Sequence, residues 1–194
     1  MADGRSAIFA ALRAAAPAAV ERPPRAAWAP LPGDRRTRFA ERVAAAGGEL
    51  VDSRGVELAD TLHGLAGLAT AEHVWSALPE LASHGLGKAA QRPHDAASLE
   101  VTLVRGEMGV SDCGAIWHEP GSPLERAAAL LAEHLVVVLP AERVVDRLRD
   151  AYARMDPLPT SFGWLLCGPS KTADIEQALV LGAHGPRYAT VVLV

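Results

Sequence analysis

An ammonium group and two hydroxyl groups stand close together in the segment CGPSKTADIE, residues 167–176. The segment follows an apolar stretch of strand length and opens a helix-like pattern over 170–182. A lysine in the first turn of a helix opposes the helix dipole, so an anion held by Lys171, nearby hydroxyl groups and free N–H groups would account for it. The predicted ligand-binding residues of this segment are Gly168, Ser170, Lys171, Thr172 and Asp174. The simpler alternative is that Ser170 caps the helix and Lys171 points to solvent.

Titratable side chains are also dense in a second segment, GEMGVSDCGAIWHEPGS, residues 106–122. They are accompanied by a serine, and the set is Glu107, Ser111, Asp112, Cys113, His118 and Glu119. Such density is typical of functional sites, and Glu107 and Asp112 are the candidates for acid–base catalysis. Ser111 and Gly114 are predicted to bind ligand, whereas the spacing fits no metal-binding motif and predicts no metal site. A polar loop between two strands is the alternative interpretation.

A lone histidine near the C-terminus, His184 in GAHGP, is a third acid–base candidate. In the predicted helix it lies at the opposite end from Lys171, about 20 Å away at 1.5 Å per residue. The two side chains therefore need not share a site. A structural role beside the helix end is the alternative for His184.

The composition of the 194 residues excludes several classes of function. A net charge of −4 gives no reason to expect nucleic acid, and the one dense basic run, RRTR at 35–38, is interpreted as a solvated helix start. Two cysteines cannot form a four-thiolate iron–sulfur or zinc site, so no cofactor is expected on the chain itself. The apolar run LVVVLP is too short to span a membrane, and the N-terminus has an arginine within its apolar part, so a cytoplasmic location is expected.

The elements that must position these residues alternate between helix and strand from residue 34 onward. Helices are predicted at 34–48, 56–69, 123–133, 141–155 and 170–182, and strands at 49–53, 72–77, 99–106, 114–118, 134–140, 162–168 and 187–194. This alternation predicts an α/β fold with a mainly parallel sheet covered on both faces. Before it, a short helix and five prolines between residues 17 and 33 predict an N-terminal arm. The expected organisation is an arm over 1–33 and one α/β domain over 34–194.

Two stretches of the chain resemble a known family. GPSKTADIEQALVLGAHGP and the terminal ATVVLV resemble the C-terminal signature of the lactate-utilisation LutC/YkgG family, the LUD domain. GEMGVSDCGAIW followed by EHLVVVLPAERVVDRL is similar to the middle section of that family, where Gly114 and Ala115 match an AENGA-like segment. The resemblance is specific from about residue 99 to the C-terminus and weaker over 34–98.

The resemblance implies a three-layer, Rossmann-like fold of the NagB/RpiA/CoA-transferase type. It also implies a role in the oxidation of L-lactate to pyruvate, beside iron–sulfur and cysteine-rich partner subunits that carry the clusters. The leading hypothesis is therefore a non-redox subunit that binds a small anionic ligand, or a partner, at the strand ends. The alternatives are a small-molecule enzyme of the related fold, acting on a phosphorylated or carboxylate substrate, and a purely structural interaction protein that docks through its N-terminal arm.

Overall fold

The structure is a computed structural model that describes residues 4–17, 20–21, 28–84, 86, 90–155, 162–173 and 179–194. The α-helices are α1 (Gly4–Ala14), α2 (Arg35–Ala45), α3 (Leu58–His63), α4 (Ala66–Ala69), α5 (Pro123–Leu131) and α6 (Leu148–Tyr152). Single-turn or two-turn 3₁₀ helices cover Pro79–His84, Pro93–Ser98 and Ala141–Arg143. The strands are β1 (Glu49–Asp52), β2 (Val74–Ser76), β3 (Val101–Arg105), β4 (Met108–Val110), β5 (Ala115–His118), β6 (His134–Leu139), β7 (Val144–Val145), β8 (Trp164–Leu166), β9 (Lys171–Thr172), β10 (Val180–Leu181) and β11 (Tyr188–Leu193).

The central sheet is parallel throughout, with the strand order β1-β11-β6-β3-β2. Side chains alternate between its faces: Leu135, Val137 and Leu139 of β6 pack in one cluster with residues of α2 and α5. Val136 and Val138 pack in a second cluster with residues of α3 and α4. Helices therefore cover both faces, and the predicted α/β fold with a mainly parallel sheet is confirmed.

A second, four-stranded sheet holds the segment 106–122. Its order is β7-β4-β5-β8, and β5 is antiparallel to both of its neighbours. The tight turn 111–114 joins β4 to β5, and β8 ends at the start of the segment 167–173. Both segments singled out in the sequence thus leave neighbouring strands of one small sheet.

Three predicted helices differ from the structure. The helix predicted over 56–69 is divided into two short helices, α3 and α4. The helix predicted over 141–155 is wrong in its first half, because Val144 and Val145 form β7 beside β4 and α6 begins only at Leu148. Both valines are β-branched and buried, at 2% and 1% exposed, which suits a strand better than a helix.

The helix predicted over 170–182 is wrong at both ends. Lys171–Thr172 pairs with Val180–Leu181 in an antiparallel two-stranded ladder, and the predicted ligand residue Asp174 lies outside the described residues. The N–H of Gly182 donates to the carbonyl of Ser170 at 2.9 Å, which closes the base of this hairpin. The apolar spacing of QALVLG therefore favours a helix locally, while pairing across the hairpin determines the structure at its two ends.

The contacts within the chain divide it into residues 1–31 and residues 32–194. In the first unit, α1 buries none of its residues, and Ile8, Phe9 and Leu12 are all exposed. The second unit contains the central sheet and both of its side-chain clusters.

Candidate functional site

Helix α2 supports both of the candidate segments. The carboxylate of Asp34 caps the helix by accepting from the N–H of Thr37 at 2.8 Å. A Cβ atom on Gly114 would lie 2.7 Å from the carbonyl carbon of Arg42, and one on Gly168 would lie 2.5 Å from the carbonyl oxygen of Ala46. Both glycines have positive φ angles, 76° and 67°. Only glycine permits this backbone conformation together with so close an approach to a helix.

The two cysteines lie where the segments meet. The Sγ atom of Cys167 donates to the carbonyl oxygen of Cys113 across 3.4 Å, so the predicted approach of the two residues is confirmed. Both thiols are free and solvent-exposed. Loss of solvation raises the pKa of the Cys113 thiol, and the negative charge of Asp112 adds to the rise.

Thiol titration of the unreduced, denatured protein should count two free cysteines. In the native protein, alkylation at neutral pH should modify Cys113 slowly, because a raised pKa leaves little of the reactive thiolate. Mass spectrometry of peptides after timed alkylation measures that rate. A count of zero in the denatured protein would show a disulfide, and rapid modification of Cys113 would contradict the raised pKa.

The predicted ligand residue Ser111 is already occupied by contacts within the protein. It is fully buried, its hydroxyl donates to the carbonyl of Asp146 at 3.2 Å, and it accepts from the guanidinium of Arg38 at 3.0 Å. Arg38 also lies 2.5 Å from the carboxylate of Asp146, and Arg35 pairs with the same carboxylate at 2.9 Å. The hydrogen bond from Arg35 is the largest cause that lowers the pKa of Asp146. Ser111 thus joins α2 to the start of the turn 111–114.

The interpretation of RRTR as a solvated helix start is wrong for two of its arginines. The side chain of Arg38 is only 13% exposed, and Arg36 forms an ion pair with Asp52 at the end of β1 at 2.8 Å. The sequence contains no local signal for the contact of Arg38, because its partner Asp146 follows by 108 residues. Arg38 and Asp146 are the positioning residues that sequence reasoning missed.

The three acid–base candidates lie apart. Glu107 pairs with Arg143 at 2.9 Å, and three residues of β4 separate it from the turn that contains Asp112. The Oδ1 atom of Asp112 is buried and has no hydrogen-bond partner among the described residues. His184 is exposed and lies beyond Gly182, in the segment that leads to β11. The structure therefore brings Asp112 beside the cysteines but does not gather the three residues in one site.

Lys171 lies at the end of the central sheet where the parallel strands begin. Its Nζ atom would lie 3.0 Å from a Cβ atom on Gly47, just before β1 begins. The N–H of the neighbouring Ser170 donates to the carbonyl of Pro186, just before β11 begins, at 2.8 Å. The segment thus follows the carboxyl end of β8. It nevertheless lies at the amino edge of the parallel sheet, by which we mean the end where the strands have their N-termini. Its ammonium group lies beside the C-terminal end of α2, where the helix dipole favours a cation.

A cavity of about 340 Å³ opens at the same amino edge. Its lining includes Gly47, together with Gly67 of α4. It also includes three side chains that project from the same face of the sheet, Glu49, His134 and Thr190. Burial lowers the pKa of His134, which favours the neutral imidazole. Sequence reasoning missed this site because it interprets HLVVVLP and ATVVLV only as strands. A histidine that opens an apolar run, and a threonine inside another, were the available signals.

No helix in the described ranges is both long enough and apolar enough to cross a membrane. Within the same ranges, no cluster of three or more histidine, cysteine, aspartate or glutamate side chains has an arrangement suited to a metal ion.

Comparison with known proteins agrees with the fold. The crystal structure of a DUF162 family protein from Deinococcus radiodurans superimposes with a TM-score of 0.59, covering 84% of this chain and 99% of that one. At 18% sequence identity, this likeness shows the shared fold alone.

Curated relatives are similar over part of their length. Lactate utilization protein C of Macrococcus caseolyticus is 28% identical over 114 residues, which are 55% of this chain and 49% of the relative. The protein of the same name from Bacillus subtilis is 27% identical over 51% of this chain and 44% of its own length. The uncharacterized protein YkgG of Escherichia coli is 25% identical over 55% of this chain and 49% of its own length. The chain thus spans about half the length of these relatives. The model of the LUD domain matches residues 71–194, nearly two thirds of the sequence, and the chain therefore belongs to the LUD-domain family.

Proposed function

We propose that this protein works in lactate utilisation in the cytoplasm, as a subunit without a redox centre of its own. The observation that carries the proposal is the LUD-domain match over 71–194, together with relatives named Lactate utilization protein C. Oxidation of L-lactate to pyruvate releases two electrons. With two cysteines in 194 residues, this chain cannot bind a four-thiolate cluster, so iron–sulfur and cysteine-rich partner proteins would accept those electrons.

The small anionic ligand of the proposal would bind beside Lys171. The dipole of α2 holds the ammonium group at the end of that helix, and no carboxylate of the described residues forms an ion pair with it. Ser170 and Thr172 flank it, and Gly168 fixes the course of the turn against α2. An ammonium group has three N–H donors, so one that is already oriented can still bind a carboxylate.

Growth on L-lactate tests the role of the protein and of Lys171 separately. Deletion of the gene should abolish growth on L-lactate as the sole carbon source while leaving growth on pyruvate unchanged. Complementation by Lys171→Gln should fail to restore growth, because the charge is lost. Lys171→Arg is the matched control, since it retains the cation, and it should restore growth at least in part.

The melting temperature of each variant shows whether the fold is retained. Normal growth of the deletion strain on lactate would reject the proposed role. Full complementation by Lys171→Gln, at unchanged melting temperature, would reject the anion site alone.

A further inference from the structure

A chain of hydrogen bonds lines the cavity at the amino edge of the central sheet. Glu49 and Thr190 are directly opposite in the pairing of β1 with β11, and their Oε2 and Oγ1 atoms are 3.4 Å apart. The same Oγ1 atom lies 2.8 Å from Nε2 of His134 at the start of β6. All three side chains project from the sheet face that packs on α3 and α4. Thr190 is only 2% exposed, so its hydroxyl must find its partners within this chain of groups.

The chemistry of these groups determines which nitrogen of His134 carries the proton. A carboxylate only accepts hydrogen bonds, so the hydroxyl of Thr190 donates to Glu49. The hydroxyl oxygen is then left to accept, and Nε2 of His134 must donate to it. Because burial keeps the imidazole neutral, Nδ1 has no proton and offers a lone pair.

The position of Gly67 leaves that lone pair accessible from the cavity. A Cβ atom on Gly67 would lie 2.7 Å from Nδ1 of His134, so any side chain at this position would cover the nitrogen. Gly67 and His134 both line the cavity of about 340 Å³. The ring of Tyr188 contacts the imidazole edge-on, with centroids 6.0 Å apart, and holds its orientation. His134 is therefore a fixed acceptor for a hydrogen-bond donor in the cavity.

A positive charge lies beside one of the glycines that line the cavity. Gly47 lines it, and the ammonium group of Lys171 lies over Gly47. Among the described residues that line the cavity, Glu49 is the acidic one. One acceptor and one cation suit a small ligand that has both a hydroxyl group and a single carboxylate. A dicarboxylate fits less well, because its second charge would meet Glu49.

We propose that this cavity binds a small hydroxycarboxylic acid, whose hydroxyl donates to Nδ1 of His134 while its carboxylate accepts from Lys171. The choice of a hydroxy acid among hydroxyl-bearing anions rests on the proposed role in lactate utilisation. Thr190 and Glu49 are positioning residues, because they act on the ligand through the tautomer of His134.

Titration of the purified 194-residue chain with L-lactate and with propionate tests the hydroxyl contact. Propionate has the same carbon skeleton and carboxylate but lacks the hydroxyl. One hydrogen bond to the imidazole predicts a dissociation constant about tenfold lower for L-lactate than for propionate. Equal dissociation constants for the two acids, or no binding of L-lactate at millimolar concentrations, would overturn the proposal.

Variants assign each contact to its residue. His134→Phe should remove the preference for L-lactate over propionate without weakening propionate, and Lys171→Gln should weaken both acids. Thr190→Val keeps the shape of the side chain but removes the hydroxyl that links Glu49 to His134. It should therefore reduce the preference for L-lactate. His94→Gln, at an exposed histidine in a 3₁₀ helix, is the matched control and should bind like the wild type.

Nitrogen-15 NMR of the imidazole in the wild-type protein gives a readout that needs no variant. In the wild-type protein at pH 7, His134 should show a protonated Nε2 and an unprotonated Nδ1. In Thr190→Val the spectrum should shift toward a mixture of the two tautomers. A protonated Nδ1 in the wild-type protein would overturn the proposal.

The outcomes separate this inference from the proposed function. If the deletion strain grows normally on lactate while the purified protein prefers L-lactate through His134, the proposed function fails and the binding site stands. If the deletion strain fails to grow but the protein shows no preference for L-lactate, the site fails and the proposed function stands.

Discussion

Replacement of Gly114 by alanine should lower the free energy of unfolding by about 2–5 kcal/mol. Two costs add. A residue with a side chain at a φ angle of 76° costs about 1–2 kcal/mol, and overpacking against atoms that cannot move costs about 1–3 kcal/mol. The new Cβ atom would lie 2.7–2.9 Å from backbone atoms of Arg42 and Val43, and helix backbone cannot rotate away as a side chain can. Urea unfolding of the variant and the wild type measures the difference.

Gly55→Ala is the matched control for Gly114→Ala. Its φ angle is also 76°, but no atom lies within 4 Å of the position that a Cβ would occupy. This variant should therefore lose only the conformational part, about 1–2 kcal/mol. Equal losses in the two variants would show that the close approach of the turn 111–114 to α2 does not determine its packing.

The central sheet could be predicted because its signals are local. HLVVVLP is a continuous apolar run, which indicates a strand buried on both faces, and it forms β6 at the centre of the sheet. The alternation of such runs with helix-like segments was sufficient to predict the parallel α/β fold. The helix predicted over 170–182 failed because the two ends of that segment pair with each other in a hairpin. The helix predicted over 141–155 failed because strand pairing depends on distant residues. Gly109 and Val110 pair with β7 from more than thirty positions away, which no local pattern reveals.

The candidate site was less predictable, because its contacts join distant parts of the sequence. The two segments meet at the predicted contact of Cys167 with Cys113. The position of Lys171 was not predicted. This residue lies at the C-terminal end of α2 and not in the first turn of a helix of its own. The helix dipole was the right physical argument, but it applies to a helix more than a hundred positions earlier in the chain. His134 was missed for a related reason, since its partner Thr190 is 56 positions away.

Phe39→Ala should lower the free energy of unfolding by about 3–5 kcal/mol, the usual range for a large aromatic ring removed from a core. Phe39 is fully buried and belongs to the same cluster as Leu139 and Leu193 of the central sheet. Its ring also fills the space above Gly109, where a Cβ atom would lie 3.1 Å from Cζ. The ring therefore fixes α2 to both sheets at once. Chemical denaturation measures the loss, and a change below about 1 kcal/mol would contradict this role.

The same substitution at Phe9 isolates the effect of burial from the effect of the residue type. Phe9 lies in α1 and is 47% exposed, and none of the residues of α1 is buried. Phe9→Ala should therefore change the free energy of unfolding by at most about 0.5 kcal/mol. Phe39→Ala should also increase hydrogen exchange along α2, because the helix loses its largest buried side chain. Gly114, Gly168 and Lys171 all lie against that helix. A Phe39→Ala protein that remains folded should therefore bind L-lactate more weakly, whereas Phe9→Ala should bind it like the wild type.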